Sequence, residues 1–317
     1  MDRQDRHHAE QVFDAVRSPA QAGVSHVAAS WCRSVLRHGL DPDEASSRAR
    51  IGGRETAALR ARHAGLLTVA NPVLDQTFRA VGRSGCGVIL SDADGVILER
   101  RVGAGDATGF TAVGLIEGGC WGESQEGTNG IGTCLFEDRP VIIHRDEHFA
   151  SRNIGISCMD APIHDPHGRL IAALDVSSCR DDHGTAMADM IATLVRDAAR
   201  RIERDYFCSH FDKAQIMFLG DAPGGTELLA VDRDGLVIGA SRAARLRLGL
   251  TDDSLAHPPP VGQLIGGNDM PSFERGDRTI LRQALARANG NASAAARLLG
   301  IGRATFYRRL ARAGLRD

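Results

Sequence analysis

The chain has 317 residues, 43% hydrophobic and 25% charged, and a formal net charge of −2. That length suits two or three modules rather than one core, and the apolar share is enough to fill each of them. The charged start MDRQDRHHAEQ lacks the apolar centre of a signal peptide, and no apolar run approaches the roughly 20 residues of a membrane helix, so the expected location is the cytoplasm, with no membrane partner.

Seven cysteines with no C-x-x-C pair exclude a zinc ribbon, a thioredoxin motif and a secreted disulfide framework. Charge is uneven: from Glu274 onward ten Arg face three acidic residues, while the rest of the chain is acidic. A basic tail on an acidic body points to a polyanionic partner for the tail alone.

In chain order, a helical N-terminal segment comes first. Three stretches then share one design, an apolar run, a D-x-[DH]-G turn and a second apolar run: GVILSDADGVIL (87–98), APIHDPHGRLIAALDVS (161–177) and ELLAVDRDGLVIGAS (227–241). Asp and Gly fit tight turns, so each reads as a β-hairpin. A calcium loop at Asp92 and Asp94 fails because the third acidic ligand and the closing Glu are absent at the required spacing.

Between the first two hairpins lies GESQEGTNGIGT (122–133), with Gly122 and Gly127 at P-loop spacing. Thr128 stands where a P-loop requires Lys, and Lys213 is the sole lysine of the chain, so a Walker-type ATPase is excluded and no nucleotide cofactor is expected.

The segment 185–207 has the clearest helical period. Met187, Met190, Ile191, Leu194, Val195, Ala198 and Ile202 make one apolar stripe, equally suited to packing on a sheet or to pairing with a second copy. The Pro- and Gly-rich 254–277 reads as a linker. In the tail, a helix burying Ile280, Leu281 and Leu285, a break at NGN, a helix from about Ser293 to Leu299, a GIG turn and a helix from about Arg303 to Ala313 form a helix-turn-helix pattern. Phe306, Leu310 and Ala313 share one face of the third helix, and Thr305, Arg308, Arg309 and Arg312 another. Guanidinium forks there could pair with guanine edges or phosphates, the alternative being a solvated arginine face.

NGNASAAARLLGIGRATFYRRLARAGL resembles the Fis-type helix-turn-helix that ends many bacterial enhancer-binding regulators. The resemblance implies Arg303, Thr305, Tyr307, Arg308, Arg309 and Arg312 as contacts to double-stranded DNA, with a homodimer on an inverted repeat. LIEGGCWGESQEGTNGIGTCLFEDRPVIIHRDEHF (115–149) resembles the GAF domain of the acetoin and glycerol metabolism regulator family, as do SHVAASWCRSVLRHGLDPD (25–43) and RNIGISCMDAPIHDPHGRLIAALDVSS. Full-length members of that family carry an AAA+ ATPase between sensor and tail, and no Walker A or GAFTGA loop stands here. A regulator acting alone, through RNA polymerase, or with an AAA+ activator supplied in trans fits this departure, and an enzyme is not expected.

The expected fold is therefore α+β and multidomain: N-terminal helices (1–76), a GAF antiparallel-sheet domain with its signalling helix (77–205), a PAS-like α/β module (206–255), a linker (256–274) and a three-helix Fis-type tail (275–317). GAF pockets hold small ligands, and the likeness suggests an alcohol, ketone, diol or small aromatic effector. Cys120, Trp121, Glu123, Thr128, Asn129, His144 and Cys158 offer the contact chemistry. Thr128 and Asn129 could equally cap the following segment, and Trp121 could close the core. A metal or redox site built from His144, His148, His164, His167, Cys120 and Cys158 is a further alternative, although His164 and His167 flank a turn and are expected in solvent.

Overall fold

The computed structural model describes residues 3–18, 23, 25–44, 48–181, 184–266 and 273–315. It forms two compact units, residues 1–258 and 259–317.

The first unit opens with helices α1 (Arg3–Arg17), α2 (His26–Cys32), α3 (Gly53–Arg62) and α4 (Ala64–Val81). Strands β1 (Cys86–Asp92) and β2 (Ile97–Arg101) follow, then short helices α5 (Ala107–Ala112), α6 (Glu123–Glu126) and α7 (Gly130–Glu137), strands β3 (Val141–His144), β4 (Ser157–His164) and β5 (Leu170–Ser178), and the 26-residue helix α8 (Thr185–His210). The five strands form an antiparallel sheet in the order β2-β1-β5-β4-β3.

A smaller antiparallel sheet, β6 (Gln215–Ala222), β7 (Gly225–Val231) and β8 (Val237–Ala240), carries α9 (Arg242–Leu248) and α10 (Asp252–Ala256). Two of the expected boundaries fall inside helices, 76/77 within α4 and 205/206 within α8. Both helices pack on the large sheet, whose burial rather than local composition decides where they run.

All three hairpins form, and each is closed by the same device. The side chains of Asp92, Asp165 and Asp232 each accept two backbone N–H groups, from Asp94 and Val96, from His167 and Arg169, and from Asp234 and Leu236, at 2.8–3.0 Å. Gly95, Gly168 and Gly235 complete the turns at φ 80°, a conformation that costs glycine nothing.

The two faces of the large sheet differ. On one, Leu66, Leu74, Leu90, Leu174, Val195 and Ile202 join α4, the strands and α8 in a continuous apolar core. On the other, Ile89, Phe110, Leu115, Trp121, Ile131 and Ile143 pack under α5–α7 and the N-terminal helices, with polar groups among them. The apolar stripe of α8 is split accordingly: Ile191, Val195, Ala198 and Ile202 are buried, whereas Met187, Met190 and Leu194 stay exposed.

The second unit holds α11 (Val261–Leu264) and the three tail helices, α12 (Phe273–Arg287), α13 (Ala292–Leu298) and α14 (Arg303–Arg312). Within the expected linker, residues 267–272 lie outside the described residues, and α11 forms a single helical turn just before them. The tail core comprises Leu281, Ala284, Ala295, Ala296, Phe306 and Leu310, with Leu285 packed at its edge. Ile280, expected inside, is exposed, because the three-helix contact selects the Leu281–Ala284 side of α12. Among the described residues no helix is long and apolar enough to cross a membrane.

Candidate functional site

The loop 120–133 covers one face of the large sheet, and its glycines are there for close approach. Gly127 caps α6 at φ 68° against the Phe149 ring, and a Cβ on Gly130 would lie 2.0 Å from Asp160 Oδ2. Asn129 is the N-cap of α7: its Oδ1 accepts the Gly132 N–H at 2.9 Å and its Nδ2 donates to the Gly127 carbonyl at 2.9 Å.

Long-range partners hold the loop down. Arg33 grips the buried Glu123 carboxylate from Nε at 2.7 Å and Nη2 at 2.9 Å, and Ser30 Oγ donates to it at 2.8 Å. Thr128 Oγ1 donates to Ser30 Oγ at 2.7 Å. Glu126, also buried, is held by Arg152 at 2.8 Å and Asn153 at 3.1 Å. The indole N–H of Trp121 donates to the Gly114 carbonyl at 3.0 Å, and its ring closes the apolar cluster. Helix α2 thus lies on the loop as a strap, and Ser30 and Arg33, on no site motif of the sequence, belong to the site.

Of the seven candidate effector residues, Glu123, Thr128 and Asn129 come together in this network. Cys120 sits at its edge, with Sγ 3.8 Å from the Gly118 carbonyl. His144, on β3, bonds Ser157 through Nδ1 at 2.9 Å. Cys158, buried on β4, lies 3.4 Å from His148 Nε2 and 3.1 Å from Ser177 Oγ.

The centre of the polar face is a pair that sequence reading missed. Asp160 and Asp175 are directly opposed on β4 and β5 and fully buried. As two carboxylates they leave both Asp160 oxygens without a donor; with a proton on Asp160, its O–H donates to Asp175, which also accepts from Ser177 Oγ at 2.7 Å. Burial, then the charge of Asp175, pushes the Asp160 pKa well up, and burial raises Asp175 to about 7. Asp160 therefore keeps its proton to higher pH than Asp175, and the pair lies under the N-terminus of α7, where the helix dipole favours negative charge. The sequence signal was an Asp in each of two strongly apolar strands, and only strand register shows that they meet.

Of the imidazoles and thiols proposed as a metal or redox site, His148 and Cys158 meet, but among the described residues no three histidines, cysteines or acids are grouped to hold a metal ion. His164 is buried rather than in solvent, with Nδ1 2.6 Å from Glu203 of α8 and Nε2 2.7 Å from Asp138, the C-cap of α7, which also binds Arg242 of α9 at 2.8 Å. It is the hub of a clamp joining four elements. Burial opposes its charged form, but the Glu203 hydrogen bond and the charges of Glu203 and Asp138 outweigh burial and raise its pKa. Burial lowers the His148 pKa to about 4 and raises the thiols of Cys120, Cys134 and Cys158, the reverse of a reactive cysteine.

In the tail, Asn291 caps α13 and the Gly300–Gly302 turn leads into α14, which presents Arg303, Arg308 and Arg312 outward. Arg309 is exposed but pairs with Asp277 at 3.2 Å. Thr305 and Tyr307 are half-buried, with the Arg303 guanidinium 5.7 Å from the Tyr307 ring.

Residues 65–203 match the GAF domain family, and residues 272–312 match the Fis family of bacterial regulatory proteins. The acetoin catabolism regulatory protein of Cupriavidus necator is 30% identical over 261 residues, 78% of this chain and 39% of that protein. This chain is homologous to the acetoin catabolism regulators. The acetoin dehydrogenase operon transcriptional activator AcoR of Bacillus subtilis is 34% identical over 37% of this chain and 19% of its own length, so the chain spans well under half of either relative. The DhaR(N)–DhaL complex of E. coli contains a similar fold, with a TM-score of 0.53 at 16% identity, covering 83% of this chain and 86% of that one. Between the GAF and Fis matches only residues 204–271 remain. They hold the end of α8 and the β6–β8 sheet, and no AAA+ domain fits there.

Proposed function

We propose that the chain is a cytoplasmic one-component transcriptional regulator and not an enzyme: a GAF sensor and a PAS-like module joined to a Fis-type tail that binds an inverted-repeat operator as a homodimer. The observation that carries this reading is the tail, where a packed three-helix unit turns Arg303, Arg308 and Arg312 to solvent in a chain otherwise acidic. The exposed ridge of Met187, Met190 and Leu194 on α8 offers an apolar surface for the dimer. Arg308→Ala weakens specific DNA binding by about 1–3 kcal/mol in a gel-shift titration; unchanged affinity removes the α14 contacts from the proposal.

The effector is a small uncharged molecule presenting hydroxyl donors to the Asp160–Asp175 pair beneath α7, with the candidate residues of the 120–133 loop and Cys158 around it. Coupling follows if binding favours one position of α7, whose C-cap Asp138 is clamped through His164 to α8. A second reading, a co-regulator working through an AAA+ partner in trans, is favoured by the much greater length of the relatives. Promoter activity that survives in a strain without sigma-54 excludes it.

A further inference from the structure

A cleft of about 730 Å³ lies apart from the GAF effector face, within the first unit. Its walls come from four parts: the α7–β3 connection with Asp138, Arg139 and Pro140, β4 with Pro162 and His164, helix α8 with Arg196, Arg200 and Glu203, and the β6–β8 module with Pro223 and Arg242. It adjoins a small recess of about 20 Å³ bounded by Phe207, Leu228 and Ala243. The volume falls in the range of small-molecule sites, roughly 300–1,000 Å³.

The charges of this lining do not cancel. Asp138 and Glu203 are taken up by His164 and Arg242, and Arg139 pairs with Glu137. Arg196 and Arg200 make no ion pair among the described residues. Arg196 Nη2 donates to Thr193 Oγ1 and Arg200 Nη2 to the Pro223 carbonyl, each at 2.9 Å, which fixes both side chains against residues of the cleft. They stand at i and i+4 on one face of α8, where like charges repel. Asp197 is the one acid of the lining left over, and it is exposed. With those pairs set aside, Arg196 and Arg200 face Asp197 alone, two cations against one exposed acid, so the cleft favours an anion.

We propose that this cleft is a second ligand site, for a small metabolite bearing a carboxylate or phosphate group that Arg196 and Arg200 hold between them. Guanidinium forks match both oxyanions, and a shared anion turns the repulsion of the two arginines into attraction. Because Arg200 already reaches the Pro223 carbonyl of the β6–β7 turn, an anion held here binds across the contact of α8 with the second module. Occupancy then biases that contact, a regulatory input separate from the effector face.

The test uses the full chain with inorganic phosphate and, separately, succinate, each against sodium chloride at matched ionic strength. Hydrogen exchange locates any binding, so that phosphate held by the basic tail is read apart from the cleft. The expected result is saturable protection of residues 193–200 and 223–226 by at least one anion, with the affinity lowered about tenfold or more in Arg196→Ala/Arg200→Ala. Which anion protects identifies the headgroup. Arg200→Gln keeps a donor for the Pro223 carbonyl and serves where the double variant does not fold. Protection absent for both anions through the millimolar range, matched by chloride, or unchanged in the arginine variants overturns the proposal. None of these outcomes depends on the Asp160–Asp175 reading.

Discussion

The two faces of the five-stranded sheet come from the same residues in alternation, yet they are built on opposite terms. On the α4–α8 face the centre is a continuous apolar core that α4 and α8 cover by shape and hydrophobicity, with polar groups such as Ser157, Ser178 and the His164–Glu203 pair at its margins. On the other face, Asp160, Asp175, Ser177 and Cys158 stand among apolar neighbours, and loop 120–133 is secured by ion pairs from Arg33, just after α2, and Arg152. Uncompensated polar burial costs stability. The first face is a scaffold, and the second is a polar layer that holds together through its own hydrogen bonds.

Three substitutions sharpen this contrast, beginning with the largest effect. Leu90→Ala, on the scaffold face, leaves a cavity and costs about 2–5 kcal/mol in denaturant unfolding; a loss below about 1 kcal/mol would show a loosely packed face and undo the comparison.

The acid pair comes next, and its effect depends on pH. A carboxyl whose folded pKa is raised binds its proton more tightly in the folded chain than in the unfolded one, where Asp titrates near 3.9. Its stabilising contribution is complete below that value and is lost as pH rises through the folded value, about 7 for Asp175. Wild-type stability therefore falls between about pH 4 and pH 7 from this source. Asp160, raised further still, adds its own fall over that range and beyond it; Asp160→Asn removes that part while still donating to Asp175, so stability falls less steeply with pH and the variant is the more stable protein near pH 8. Parallel pH profiles of thermal unfolding for the two proteins would sink the shared-proton account.

The smallest effect belongs to Asn129→Ala, which strips the α7 cap at a cost of about 1 kcal/mol. It also weakens the effector response measured by reporter induction; a normal response with reduced stability would mean that the cap serves the fold alone.

Local chemistry was legible. The three Asp–Gly turns and the cap and turns of the tail are each settled within about five residues, by side-chain-to-backbone hydrogen bonds and by glycine at positive φ. The site was less so. Glu123, Thr128 and Asn129 stood out as polar residues in a glycine-rich loop, but their partners Ser30 and Arg33 are about 90 or more positions away. His164 beside a turn read as solvated, because nothing local announces Asp138 and Glu203, 26 and 39 positions distant.

By itself the sequence determined the kinds of module, the hairpins, the missing ATPase and the basic helix of the tail, since these depend on periodicity, turn residues and composition. Only the tertiary structure decided that α2 straps the capping loop, that Asp160 faces Asp175, that His164 joins α7 to α8, and that two arginines line a cleft. Those depend on strand register and helix docking, and the long-range burial that fixes both leaves no mark in any short stretch of chain.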